Sequence, residues 1–153
     1  MTKKRLLEYN SELVAYFHLE LNKLLNRKDY YGVVCIAQIL IEIQLRFEIA
    51  FFLGSKAHEM DQYWNFSKKN TYLSNLIDYY RLLGADKDLV EWLVKFNSNR
   101  NRLVHDPLSN FRDEKEFQIL LWETANIGGK IVEYFVGIQS DRVKKIKKGK
   151  SQL

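Results

Sequence analysis

A chain of 153 residues, 46% of them hydrophobic and 14% aromatic, holds enough apolar material for one core of ordinary domain size, which excludes disorder throughout. One proline and seven glycines are too little punctuation for a sandwich or barrel of many short strands, so helices are the expected element. The net charge of +5 lies at one end: residues 139–153 hold Arg142, Lys144, Lys145, Lys147, Lys148 and Lys150 against Asp141 alone, and residues 1–138 are formally neutral.

The basic start Met1 to Arg5 is followed by no apolar signal region, so a cytoplasmic protein is expected. The first helical segment spans about residues 4–25, with Leu6, Leu13, Phe17, Leu21 and Leu24 on one stripe. A polar turn, Asn26 to Lys28, leads to the second at about residues 29–53, with Asp29 as N-cap and Gly54 as terminator. This is the most apolar stretch, yet Gln38, Glu42, Gln44, Arg46 and Glu48 interrupt it, which rules out a membrane span and fits the central helix of a bundle. The lone Cys35, flanked by apolar residues, reads as a packed thiol rather than a reactive one.

Residues 55–70 form a polar connection whose Trp64 and Phe66 are expected to fold back onto the bundle. A third helix starts near Asn70 or Thr71, carries Leu73, Leu76, Ile77, Tyr80 and Leu83, and stops at Gly84. The fourth is capped by Asp86 or Asp88 and shows Leu89, Leu93, Phe96 and Leu103 on its apolar face; Pro107 ends it near His105. Asp113 and Glu116 stand at capping-box spacing before a fifth helix with Phe117, Leu121, Ile131, Phe135 and Val136. Inside it, the pair Gly128-Gly129 costs about 2 kcal/mol of helix propensity, which implies either a kink or the close approach of another backbone. The fold class expected is all-α, an up-and-down bundle of four or five helices over residues 1–138. Residues 139–153 read as a basic tail, either a poorly ordered solvated terminus or a phosphate-binding arm.

No Gly-rich phosphate loop, cysteine ligand pair or His-Glu-x-x-His is present, and His18, His58 and His105 lie far apart, so no metal or cofactor is expected. The polar residues that stand out interrupt the fourth helix late in its course: Asn97, Ser98, Asn99, Arg100, Asn101, Arg102 and His105. Asn101 and His105 are four apart and share a face, Arg102 lies three before His105, and Arg100 flanks the same side. Such a patch can act on RNA without metal, the imidazole handling the proton of a ribose hydroxyl while a guanidinium holds the phosphate. At a helix C-terminus the imidazole suits the part of acid or phosphate ligand, so that two roles can require two copies in a dimer. A histidine before a proline also commonly caps free carbonyls, and helical arginines are usually solvated or paired, so spacing alone leaves both readings open.

The run Arg100-Asn101-Arg102-Leu103-Val104-His105, preceded by the helix with Ala37 to Glu42 and by the Leu-Gly-ended helix Tyr80 to Gly84, resembles the HEPN superfamily of small helical domains, many of them ribonucleases of toxin and phage-defence systems. The likeness covers about residues 10–136, and only the motif is specific. It implies a metal-independent endoribonuclease in a homodimer formed through the fourth helix and part of the second, with Arg100 and His105 as catalytic pair and Asn101 orienting them. Glu42 would pair with the basic patch, Arg102, Lys144, Lys145, Lys147 and Lys148 would contact RNA, and an antitoxin or regulatory protein would be the partner. Toxins silenced by adenylylation carry a tyrosine two residues after the histidine; Pro107 stands there in this chain. Residues 66–105 also look like mannitol-operon-repressor relatives, which are not established nucleases, and this leaves open a non-catalytic module that binds a protein or nucleotide.

Overall fold

The computed structural model describes residues 3–53, 72–105 and 107–148, and all regular structure among them is helical. In chain order the helices are α1 (Lys3–Asn26), α2 (Tyr30–Leu53), α3 (Leu73–Leu82), α4 (Lys87–Val104), the short α5 (Pro107–Asn110) and α6 (Glu114–Lys147). The expected connection at residues 55–70, with Trp64 and Phe66, lies outside the described residues.

Local chemistry sets most helix ends. Asp29 Oδ1 accepts from Gly32 N at 2.9 Å, Asp86 Oδ1 from Leu89 N at 3.0 Å, and Asp113 Oδ1 from Glu116 N at 2.8 Å, each satisfying a backbone donor that the first helical turn leaves over. Gly84, at φ +83°, takes the left-handed conformation that closes α3. Pro107 lacks the N–H that a continuing α4 would need and instead opens α5, where the missing donor does no harm.

α2 is the hub. It runs antiparallel to α1, where Asn10 and Gln44 exchange reciprocal amide hydrogen bonds of 3.3 and 3.0 Å in the interior, and its largest contact is with α6. Val33, Val34, Ala37, Leu40, Ile41, Leu45 and Ile49 sink it into a core shared with Leu76, Ile77, Leu93, Phe96, Ile131, Val132 and Phe135. Along its first half one narrow stripe stays outside, formed by Tyr31, Cys35 and Ile39 at four-residue intervals, and Phe52 is exposed near its end. Cys35 is thus exposed, not packed: apolar flanks say little about the face a helical residue occupies, and at this position the face points outward.

The boundary expected at residue 138 falls inside α6. The helix continues without a break to Lys147, Gln139 is buried, and Arg142 forms a bidentate ion pair with Glu48, Nη2 lying 2.8 Å from Oε2. Glu48 is almost fully enclosed, and the guanidinium also lies against the rings of Phe47 and Phe51, 5.7 and 4.6 Å from their centroids. Charge counting missed this because the partner of Arg142 is 94 residues away.

What crowds the Gly128-Gly129 pair is neighbouring side chains, not the other backbone that the sequence suggested, and only at Gly128. A Cβ on Gly128 would stand 2.9 Å from Ala37 Cβ and 2.9 Å from Phe96 Cε2, whereas one on Gly129 would meet nothing within 4 Å. Adjacent substitutions should therefore have opposite effects on unfolding by urea. Gly128→Ala overpacks a three-helix contact and is expected to destabilise by about 1–3 kcal/mol. Gly129→Ala removes only a helix-propensity penalty and should stabilise by about 0.5–1 kcal/mol.

Candidate active site

α4 buries Leu89, Leu93, Phe96 and Leu103, and this orients the other residues of its C-terminal half. Asn97, Arg100 and Asn101 turn toward α2, where Gln38, Glu42 and Arg46 recur every four residues on one face. Tyr72, Leu73 and Ser74 at the start of α3 close one side, and His105 closes the end, giving an open cleft of about 430 Å³. The cleft thus gathers an imidazole, two guanidiniums, one carboxylate and three carboxamides from segments up to 67 positions apart in the chain, which is the span from Gln38 to His105.

Several contacts order these groups. Arg100 is half-buried; its Nη1 donates to Asn101 Oδ1 at 3.0 Å, and its Nε is buried with no hydrogen-bond partner among the described residues. Gln38 Nε2 donates to Glu42 Oε1 at 3.0 Å, which orders the carboxylate in the wall of the cleft. His105 is exposed and occupies the C-cap of α4 with extended backbone, its N–H bonded to Asn101 O at 2.9 Å. Asn110 Nδ2 donates to His105 O at 2.7 Å and to Arg102 O at 3.2 Å, so α5 satisfies the carbonyls at the end of α4 and holds the backbone that carries the imidazole. The side chain of His105 is left to the cleft, and the capping is done by Asn110.

Of the residues that the sequence singled out, Arg100, Asn101, His105 and Glu42 line one cleft. Arg102 does not: it is exposed on another side of α4, its guanidinium 5.5 Å from the centroid of Phe111. Lys144, Lys145 and Lys148 are exposed at the far end of α6, and the side chain of Lys147 lies outside the described residues. Gln38 and Arg46 were missed as site residues, and Asn97 was noticed in the polar run but given no role. The signal was present, since Gln38, Glu42 and Arg46 interrupt an apolar helix at constant spacing of four, the mark of one polar face.

Of the other concavities among the described residues, two bear on function. The larger, about 650 Å³, lies on the outer side of α4 beside Arg81, Val90 and Val94, and no imidazole lines it among the described residues. The other, about 450 Å³, is a groove between α1 and α6 containing Gln139, whose Nε2 and Oε1 are both buried without a hydrogen-bond partner among the described residues. Leaving such groups unsatisfied costs about 1–3 kcal/mol each.

No protein-family model matches the chain, and neither a curated protein nor a solved structure matches it.

Cys35 gives a chemical handle on the cleft. Partial burial pushes its thiol above the usual range, the Arg100 cation pulls it down, and the Asp29 carboxylate adds to the rise. Because the thiolate is the nucleophile, alkylation by iodoacetamide should be slower at neutral pH than for free cysteine and should keep accelerating past the pH at which a free thiol levels off. Arg100→Ala removes the one stabilising charge and should slow alkylation at a given pH severalfold; an unchanged rate would put Arg100 away from Cys35.

Proposed function

We propose that this chain is a metal-independent endoribonuclease of the HEPN type, with Arg100 and His105 as the catalytic pair. The observation that carries the reading is that Arg100, Asn101, His105 and Glu42 share one solvent-open cleft, although only the first three are close in sequence. A cleft in which two guanidiniums and an imidazole outnumber one carboxylate suits a phosphodiester, whose charge grows on the non-bridging oxygens during displacement.

The reaction follows from those groups. The ribose 2′-hydroxyl attacks the adjacent phosphorus, and an imidazole accepts its proton. The bond to the 5′-oxygen of the next nucleotide breaks as that oxygen receives a proton, leaving a 2′,3′-cyclic phosphate and a free 5′-hydroxyl. Arg100 bridges two phosphate oxygens through its planar fork. Asn101, bonded to Arg100 Nη1, positions that fork, and Glu42, held by Gln38, balances the cations so that they converge without mutual repulsion.

Proton acceptor and proton donor are two tasks, and one copy offers one His105. A homodimer formed through α4 and the exposed Tyr31, Cys35 and Ile39 stripe of α2 would bring two copies together, and that stripe is an unpaired apolar strip beside the cleft. The toxin or phage-defence setting, and a protein partner that restrains the activity, are implied by the resemblance of the Arg100 to His105 motif. The second reading, a non-catalytic regulatory module, draws on the larger and more apolar shelf on the outer side of α4.

Incubation with total RNA in EDTA separates the two. Cleavage products should carry cyclic phosphate, and His105→Ala and Arg100→Ala should each lower the rate by about a hundredfold or more while leaving fold and oligomeric state unchanged. Equal cleavage by the variants and the wild type, or none by any of them, removes the catalytic reading.

A further inference from the structure

We infer that the groove between α1 and α6 binds an adenine nucleotide, with the Gln139 carboxamide reading the base and Lys144 meeting the phosphate. This groove is separate from the cleft at Arg100 and His105 and shares no residue with it.

The starting point is Gln139. It is 3% exposed, and among the described residues both its donor and its acceptor lack a partner, whereas the Asn10 and Gln44 carboxamides in the same interior satisfy each other. A carboxamide with both ends unmatched calls for a ligand edge that presents one acceptor beside one donor. Gln139 lines the groove, and the terminal torsion of a glutamine is soft, so the amide plane can turn to match a ligand edge there. Adenine offers such an edge in N6 and N7, and a glutamine side chain matches it with two hydrogen bonds.

The surroundings suit the rest of a nucleotide. Val14 and Ala15 from α1 face Val136 and Val143 from α6, giving apolar walls for a flat ring. Lys144 stands at one end, about 7.5 Å along the helix axis from Gln139, and exposed Lys145 and Lys148 follow it. A peptide amide would match Gln139 but brings no anion for these lysines. At the opposite end His18 Nε2 lies 2.7 Å from Glu133 Oε1, a pairing that keeps the imidazole engaged and the phosphate end defined.

The adenine can belong to free mononucleotide or to a residue splayed out of single-stranded RNA, and the two are separable. Titration of the full chain with 5′-AMP, followed by heteronuclear NMR, should show saturable shifts centred on Gln139, Val143 and Lys144. Gln139→Leu should weaken binding about tenfold or more. Its own folding is protected, because an apolar side chain of similar size relieves the unpaired carboxamide, so its melting temperature should be equal or higher. Lys144→Ala should weaken 5′-AMP but not adenosine. A short oligoadenylate that binds much more tightly than 5′-AMP identifies RNA as the source, and equal affinity identifies the mononucleotide. Equal binding of 5′-AMP and ribose 5-phosphate, or wild-type affinity in Gln139→Leu, overturns the inference. Because binding is read without cleavage, that failure would leave the active-site proposal standing, and the reverse also holds.

Discussion

The missing side chain at Gly128 sets the geometry on which the candidate site depends. By letting Ala37 of α2 and Phe96 of α4 come against the same point on α6, it fixes how far apart those two helices stand. Gln38 follows Ala37 and Asn97 follows Phe96, so the walls of the cleft begin one residue beyond the contact on either side. The width of the cleft is therefore governed by a residue in neither wall. Interiors this closely packed do not stretch to accommodate even one methyl group, and a change there is transmitted rather than absorbed.

A second constraint acts further along α6. Glu48 and Arg142 join α2 and α6 near their C-terminal ends, with Phe47 and Phe51 shielding the guanidinium. Burying such a pair adds little net stability, since desolvation offsets most of the attraction. Its effect is on register: the two carboxylate oxygens meet the two terminal guanidinium nitrogens in one alignment of the helices, and sliding by a turn would leave a charge buried alone. Burial and the neighbouring Glu48 charge also push the Tyr80 phenol upward, which keeps its hydroxyl neutral between α3 and this pair.

What could be read from the sequence follows the range of the interaction responsible. The caps at Asp29 and Asp113 and the stop imposed by Pro107 act over three or four residues and were visible in the chain order alone, and Asp86 was one of two candidates, with Asp88, for its cap. Cys35, Gly128 and Arg142 were read wrongly or left undecided because their environments come from other helices: the outward face of α2, the α2–α6–α4 crossing, and Glu48. The site shows the same division. Arg100, Asn101 and His105 lie within one turn and a half of helix and were found together, and Glu42 entered only through the family layout. Arg102 was grouped with them by its three-residue spacing to His105, yet His105 leaves the helix in extended conformation and Arg102 turns to Phe111 instead. Gln38 and Arg46 were counted as reasons against a membrane span, which hid the polar face they make with Glu42. Indeed, no described helix is long and apolar enough to cross a membrane.

The unbroken course of α6 also bears on how the chain can be cut or extended. A truncation after residue 138, at the point where the charge pattern suggests that a dispensable tail begins, would delete Arg142 and strand the Glu48 carboxylate in the interior. Breaking a buried pair in this way costs about 3–5 kcal/mol, a large share of the roughly 5–15 kcal/mol that holds a domain together. Tags, reporters or fused partners belong after Lys148, where the exposed end of the helix can carry them.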